Sequence, residues 1–158
     1  MPVLTLPESI ALRESLRAQN KRLALTNGVF DLLHVGHLDY LEKARALGDA
    51  LFVGINGDDS ARGLKGEGRP FLPAAERARL VAALTCVDAA ILFDDPTADS
   101  LLRALRPDVY VKGGDYAHKP LPETESANAV GAQIVLIDYL PDHSTSALIK
   151  RIAGRGRW

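Results

Sequence analysis

Short, unbroken apolar runs separated by longer stretches of mixed polarity dominate this chain. Five such runs occupy residues 23–26, 50–56, 89–93, 108–112 and 133–137. None alternates polar with apolar positions, so each predicts a strand buried on both faces. Between them, residues 36–47 place Leu38, Leu41, Ala44 and Arg45 at helical spacing, with Gly48 where a glycine stop belongs. Residues 73–84 predict a second helix, opened by Pro73 and presenting Leu80, Val81 and Leu84 on one face. Residues 98–105 predict a third, ended by Pro107, and 144–152 a fourth whose three leading hydroxyl residues suit an N-cap. A short amphipathic helix is expected over 9–19, and loops over 56–60, 62–69 and 113–121.

Strands alternating with helices predict an α/β domain with a Rossmann-like, doubly wound sheet of five parallel strands, since crossovers are right-handed and successive strands neighbour one another. Ligands of such sheets bind beyond the carboxyl ends of the strands, where the strand order reverses. The turns after the runs ending near 26, 56 and 112 are therefore expected to carry the chemistry.

A length of 158 residues suits a single domain spanning 1–158, with a core of about 22–152 and a frayed tail over 153–158. A net charge of −1 offers no positive field for nucleic acid or anionic lipid. The lone cysteine, Cys86, sits in an apolar stretch, reads as core and excludes an internal disulfide. The opening residues lack a basic segment followed by a long apolar one, and no run approaches a membrane span, so a cytoplasmic protein is expected.

The turn after the first run reads Thr26-Asn-Gly-Val-Phe-Asp-Leu-Leu-His-Val-Gly-His37. Gly28 permits close backbone approach, and the helix that follows offers free N–H groups and a positive dipole end to a phosphate. His34 and His37, three apart at that helix start, can face one anion together. A zinc site lacks ligands here, with two histidines, Asp31 and no nearby cysteine, so no bound metal is assigned. Lys65 and Arg69 lie in a run of three glycines and fit either a phosphate-covering lid or a solvated basic loop. Lys112-Gly-Gly-Asp115 fits either a tight turn or a close approach to a base or ribose, with Asp115 accepting from hydroxyls. Ser144, Thr145 and Ser146 fit an N-cap. Asp31 suits a Mg²⁺ contact, an orienting bond to His37 or a cap; Asn56 suits a sugar contact or an ordinary loop.

The segment 26–37, with its His-x-Gly-His signature, resembles the cytidylyltransferase-like nucleotidyltransferases. Further along, Lys65-Gly-Glu-Gly-Arg-Pro70, Glu76-Arg77, Val87-Asp88, Phe93, Arg106-Pro-Asp108 and Val111-Lys-Gly-Gly-Asp-Tyr116 are similar, in order, to the adenylyltransferase domains of bacterial ADP-heptose synthases. The likeness runs from about Thr26 to Ile152. It departs at Ser144-Thr-Ser146, where Ser-Thr-Thr is common, and over 117–126. The resemblance implies transfer of AMP from ATP to a sugar 1-phosphate, D-glycero-β-D-manno-heptose 1-phosphate, giving ADP-heptose and pyrophosphate for lipopolysaccharide or other surface glycans. It implies His34, His37 and Lys65 as catalytic residues and Mg²⁺ as the cation accompanying ATP. Thr26, Asn27, Gly28, Phe30, Lys112, Gly113, Asp115, Ser144, Thr145 and Ser146 would contact the nucleotide; Asp31, Asn56 and Arg69 would contact the acceptor. The kinase step would lie on a separate chain, and a homodimer stays open. The alternatives are transfer to glycerol 3-phosphate or FMN, or an inactive nucleotide-binding sensor.

Overall fold

The structure, a computed structural model, describes residues 2–155. Its order is β1 (Val3–Leu4), α1 (Leu6–Ala18), β2 (Leu23–Gly28), α2 (Val35–Arg45), β3 (Ala50–Asn56), α3 (Asp58–Lys65) and α4 (Ala74–Ala82). There follow β4 (Ala89–Phe93), α5 (Asp99–Leu105), β5 (Val109–Gly113), a 3₁₀ turn (Gly114–Ala117), α6 (Thr124–Ala129), β6 (Gln133–Ile137) and α7 (Thr145–Gly154). All strand pairs are parallel, in the order β1-β4-β3-β2-β5-β6. From β2 the chain steps outward through β3 to β4, then returns to the other side of β2 for β5 and β6. The order therefore reverses between β2 and β5, and their carboxyl ends, Asn27-Gly28 and Lys112-Gly113, frame the expected crevice.

The sheet has six strands where five were expected. The sixth is two residues long, and only pairing makes it a strand: Val3 lies beside Ala90 and Leu4 beside Ile91. The segment before residue 22 is part of the packed domain. Leu6, Ile10, Leu12 and Leu16 of α1 pack on one face of the sheet, and buried Arg13 pairs with Asp108 at 3.1 Å and donates to the carbonyls of Leu105 and Arg106. At the other end, Ala153 and Gly154 continue α7, while 156–158 of the expected tail lie outside the described residues.

β3 is buried along its whole length, as its unbroken apolar run requires, with α2 and α4 on one face and α1, α5 and α6 on the other. On α4 the buried stripe comprises Arg77, Ala78, Val81 and Ala82, so Leu80 turns outward and is exposed. Cys86 lies in the core as read. Residues 58–65, nearly all of them read as loop, form α3, which removes Arg62 to Lys65 from the expected lid, and 124–129, where no helix was expected, forms α6. Among the described residues no helix is long and apolar enough to cross a membrane.

Candidate active site

Two residues of the β2–α2 turn, Phe30 and Leu32, sit at φ 51° and 49°, left-handed backbone that costs a non-glycine residue about 1 kcal/mol or more. Between them the Asp31 carboxylate, with no solvent exposure, accepts from Arg69 Nε at 2.9 Å, the Phe71 N–H at 2.8 Å and the Leu72 N–H at 3.1 Å. Its own carbonyl accepts from Thr145 Oγ1 at 2.9 Å. One residue thus pins the turn to the segment after α3 and to the start of α7. Burial works to raise the Asp31 pKa, but its three donors outweigh that and hold it below the usual carboxylate value.

The turn delivers the two histidines as a rigid pair. His34 caps α2: its Nδ1 accepts from the Gly36 N–H at 3.1 Å, while His37 Nδ1 accepts from the His34 N–H at 3.4 Å. With both Nδ1 atoms accepting, the neutral rings carry their protons on Nε2. The rings stack at 4.0 Å, and Phe30 tilts against His37 at 5.4 Å. Burial, followed by the charges of His34 and Lys65, drives the His37 pKa down to about 4; burial and then His143 also lower that of His34. Both rings are therefore neutral N–H donors near pH 7. His34 Nε2 is buried and, among the described residues, has no protein partner.

The crevice, of about 380 Å³, falls within the range of small-ligand sites. It brings together Asn27, Gly28, Phe30, Asp31, His34, His37, Lys65, Arg69, Lys112, Gly113, Asp115, Ser144, Thr145 and Ser146. Lys65 reaches it from the end of α3. Arg69 gives its Nε to Asp31, and among the described residues its terminal nitrogens bond no protein group. Burial pulls the Lys112 pKa down, opposed by the charges of Glu123 and Asp115. Ser144 caps α7 by accepting from the Ala147 N–H, and Thr145 is tied to Asp31, so both hydroxyls have structural duties. The first two N–H groups of α7, those of Thr145 and Ser146, have no helical partner, and both residues line the crevice.

Two expected contacts are displaced. Thr26 is buried beneath the crevice, where its hydroxyl bonds Tyr40 Oη at 2.8 Å and helps hold that ring in place; it supports the wall without lining it. Asn56 is covered by α3: its Nδ2 donates to Ser60 Oγ and its carbonyl accepts from Arg77. Asp31 faces the crevice, but its carboxylate is engaged by three protein donors, which does not fit a Mg²⁺ contact.

Besides Val29 and Gly36, which lie within the 26–37 turn already singled out, three crevice residues escaped the reading of the sequence. Tyr40 follows His37 by three positions and so shares its helix face, a signal that was available. Tyr139 and His143 come from the connection after β6, whose return to the crevice depends on the sheet order. The glycines reflect this packing: a Cβ on Gly36 would stand 2.9 Å from His143 Cβ and from the His34 ring, and one on Gly113 would collide with the Tyr139 ring. Beneath the site, fully buried Arg77 donates to the carbonyls of Leu72, Val29 and Asn56 and to Asp58, tying together three of the connections around the crevice.

The family model of cytidylyltransferase-like proteins matches residues 25–151, which include both histidines, the Lys112 turn and the start of α7. The chain belongs to the cytidylyltransferase-like family. Membership makes it a nucleotidyltransferase, in keeping with neutral imidazole donors beside lysines and a helix N-terminus. The chain is 46% identical to the bifunctional protein HldE of Syntrophotalea carbinolica, an alignment covering 92% of this chain and 31% of that protein. It is 48% identical to the HldE of Streptomyces coelicolor, over 93% of this chain and 32% of that one. It thus spans about a third of the length of these relatives. A lipopolysaccharide core biosynthesis protein from Thermoplasma volcanium superposes with a TM-score of 0.63 at 28% identity, covering 76% of this chain and 97% of that one.

Among the described residues no three metal-ligating side chains converge. Asp115, the other crevice carboxylate, pairs with Lys119 at 2.8 Å. The residues present do not build a metal cage, and a divalent cation fits here as part of a metal–nucleotide substrate, held mainly by phosphate oxygens.

Proposed function

We propose that this cytidylyltransferase-like chain transfers the adenylyl group of ATP to a sugar 1-phosphate. In this reading the acceptor is D-glycero-β-D-manno-heptose 1-phosphate, the products are ADP-heptose and pyrophosphate, and Mg²⁺ enters with ATP. The substrate rests on the likeness of the Lys65–Pro70 and Val111–Tyr116 segments to ADP-heptose synthase domains, and on the relatives reported above. The sugar 1-phosphate would come from a separate kinase active site, and the reaction would take place in a bacterial cytoplasm.

An acceptor phosphate oxygen attacks the α-phosphorus; the new P–O bond forms as the bond to the β-phosphate bridge oxygen breaks, and that electron pair leaves with pyrophosphate. A phosphate is already ionised at neutral pH, so no side chain has to remove a proton or form a covalent intermediate. Catalysis is then alignment and charge stabilisation. His34 and His37 donate from Nε2 to the α-phosphate oxygens, and Lys65, Arg69 and the α7 N-terminus take up charge on the leaving pyrophosphate. Asn27, Lys112, Gly113 and Asp115 receive the nucleoside. The observation that carries the reading is the buried, unpartnered His34 Nε2 at the wall of a crevice with cations and a helix N-terminus around it.

Pyrophosphate release with ATP or CTP against a panel of phosphates tests the proposal. A site built for several sugar hydroxyls rejects a smaller acceptor by up to about 10⁴-fold in kcat/KM. Heptose 1-phosphate with ATP should therefore exceed glycerol 3-phosphate by a wide margin. Comparable values, or a preference for CTP with glycerol 3-phosphate, would overturn the substrate and leave family membership untouched.

A further inference from the structure

On the sheet face opposite α2, below the crevice, lies a buried polar cluster in which two members, Tyr110 and Glu123, lie behind the crevice lining and have no part in the transfer step. Tyr110, fully buried, donates its hydroxyl to Asn27 Oδ1 at 2.7 Å, and Lys112 Nζ approaches the same oxygen at 3.4 Å. Asn27 faces the crevice, yet its acceptor oxygen is taken by two protein donors. The third member is Glu123, 4% exposed at the start of α6. Its Oε1 accepts from the Ala98 N–H at 3.1 Å, whereas Oε2 is buried with no partner among the described residues. A native fold seldom leaves a buried carboxylate oxygen unpaired, because the oxygen loses its water and gains nothing. The charge of Glu123 acts on both neighbours, and on each it is the strongest charged influence.

We propose that Glu123 is a positioning residue for the ligand-facing pair Asn27 and Lys112, its Oε2 serving as counter-charge to Lys112 and as the alternative acceptor that takes the Tyr110 hydroxyl when Asn27 Oδ1 turns to a hydroxyl of the bound substrate. The hydroxyl half of this inference rests on the transfer reading above. The cluster explains why a carboxylate belongs there: a neutral side chain could accept from Ala98, but it would leave Lys112 in a buried site with less compensating charge. The other groups acting on Lys112 are Asp115 in the 3₁₀ turn, Lys65 at the end of α3, Lys119, and the Tyr116 ring, 5.3 Å from Nζ.

Glu123→Gln keeps the acceptor for Ala98 and removes the charge, so it separates positioning from fold maintenance. In the ligand-free whole chain, the Lys112 side-chain carbons are followed by NMR as pH rises. The Lys112 midpoint should move to lower pH in Glu123→Gln than in the unaltered chain; an unchanged midpoint overturns the proposal. The hydroxyl half is tested by the pyrophosphate assay on Glu123→Gln, Tyr110→Phe and the double variant. Each single change should raise KM for ATP or for the acceptor by roughly tenfold with kcat little altered, the affected KM naming the substrate that supplies the hydroxyl. The double variant should match the worse single one; strictly additive losses overturn the relay. If the unaltered chain releases no pyrophosphate with any acceptor, the transfer reading fails, and the ligand-free titration still decides the role of Glu123.

Discussion

Replacing Asp31 with Asn tests whether one buried carboxylate assembles the site. Asn keeps a single acceptor, which can face Arg69 and Phe71 or Leu72, and presents an NH₂ group to the remaining donor. A buried donor facing another donor costs about 1–3 kcal/mol. The two surviving bonds lose their ionic acceptor, and since charge-assisted bonds are roughly twice as strong as neutral ones, about another 0.5–1 kcal/mol goes with each. The pair is screened little, with side-chain exposures of 0% for Asp31 and 14% for Arg69. A total near 3 kcal/mol corresponds to a Tm lower by about 6–12 °C for a chain of this size. The control is Asp39→Asn, which breaks the exposed 2.7 Å pair with Lys43 on α2 and should cost only about 0.3–0.5 kcal/mol. Thermal unfolding of both variants, with hydrogen exchange at the Phe71 and Leu72 amides, provides the assay. The two left-handed residues beside Asp31 add a further expectation: released from their anchor, Phe30 and Leu32 relax and transfer falls along with stability. A Tm loss no larger than the Asp39 control, or unchanged protection at 71 and 72, would refute the reasoning.

His34→Ala and His37→Ala should each lower kcat by roughly 10²–10³-fold, as loss of a charge-stabilising donor does. Because His34 also caps α2, its variant should lose about 1 kcal/mol of stability as well, checked by urea unfolding beside the kinetics. The depressed His37 pKa makes stability fall on acidification: the unfolded chain takes up a proton near pH 6.5 and the folded one only near 4, so the contribution is full above 6.5 and is lost through that window. It amounts to about 3 kcal/mol, and His37→Asn should flatten the slope of unfolding free energy between pH 6.5 and 4; an unaltered slope would count against the assignment. ATP should change hydrogen exchange chiefly at Gly66, Glu67 and Gly68, because Arg62 to Lys65 are already helical and Arg69 is held by Asp31. Equal change across 62–69 would restore the longer lid that the sequence suggested.

The strands at 50–56 and 89–93 could be read from the chain to the residue, because an unbroken apolar run of strand length has few other ways to shed water; 133–137 was read to the residue as well, but as the edge strand β6 it leaves Gln133 and Leu136 exposed instead of burying both faces. The strand–turn–helix bearing His34 and His37 was legible to within two residues at its boundaries, since its chemistry is local and capping, glycine placement and phosphate affinity all act within a dozen residues. What failed were features whose cause is distant in sequence. Val3–Leu4 is a strand only because β4 lies beside it. In α3, the aspartates and glycine favour a loop locally, yet Asp58 is engaged by buried Arg77 and by the Ala74 N–H. Thr26 lies near the carboxyl end of β2 and Asn56 ends β3, at the expected edge, but Tyr40 and Ser60 take their polar atoms and withdraw them from the crevice. Tyr139 and His143 join it because β6 sits outside β5, a choice of strand order that no single segment encodes. Periodicity and capping act over one or two turns, so the sequence alone determined the five longer strands, most of the helices and the histidine motif. Which polar groups were buried against each other, and which remained open to a ligand, was decided by contacts tens of residues apart that exist only once the sheet has closed.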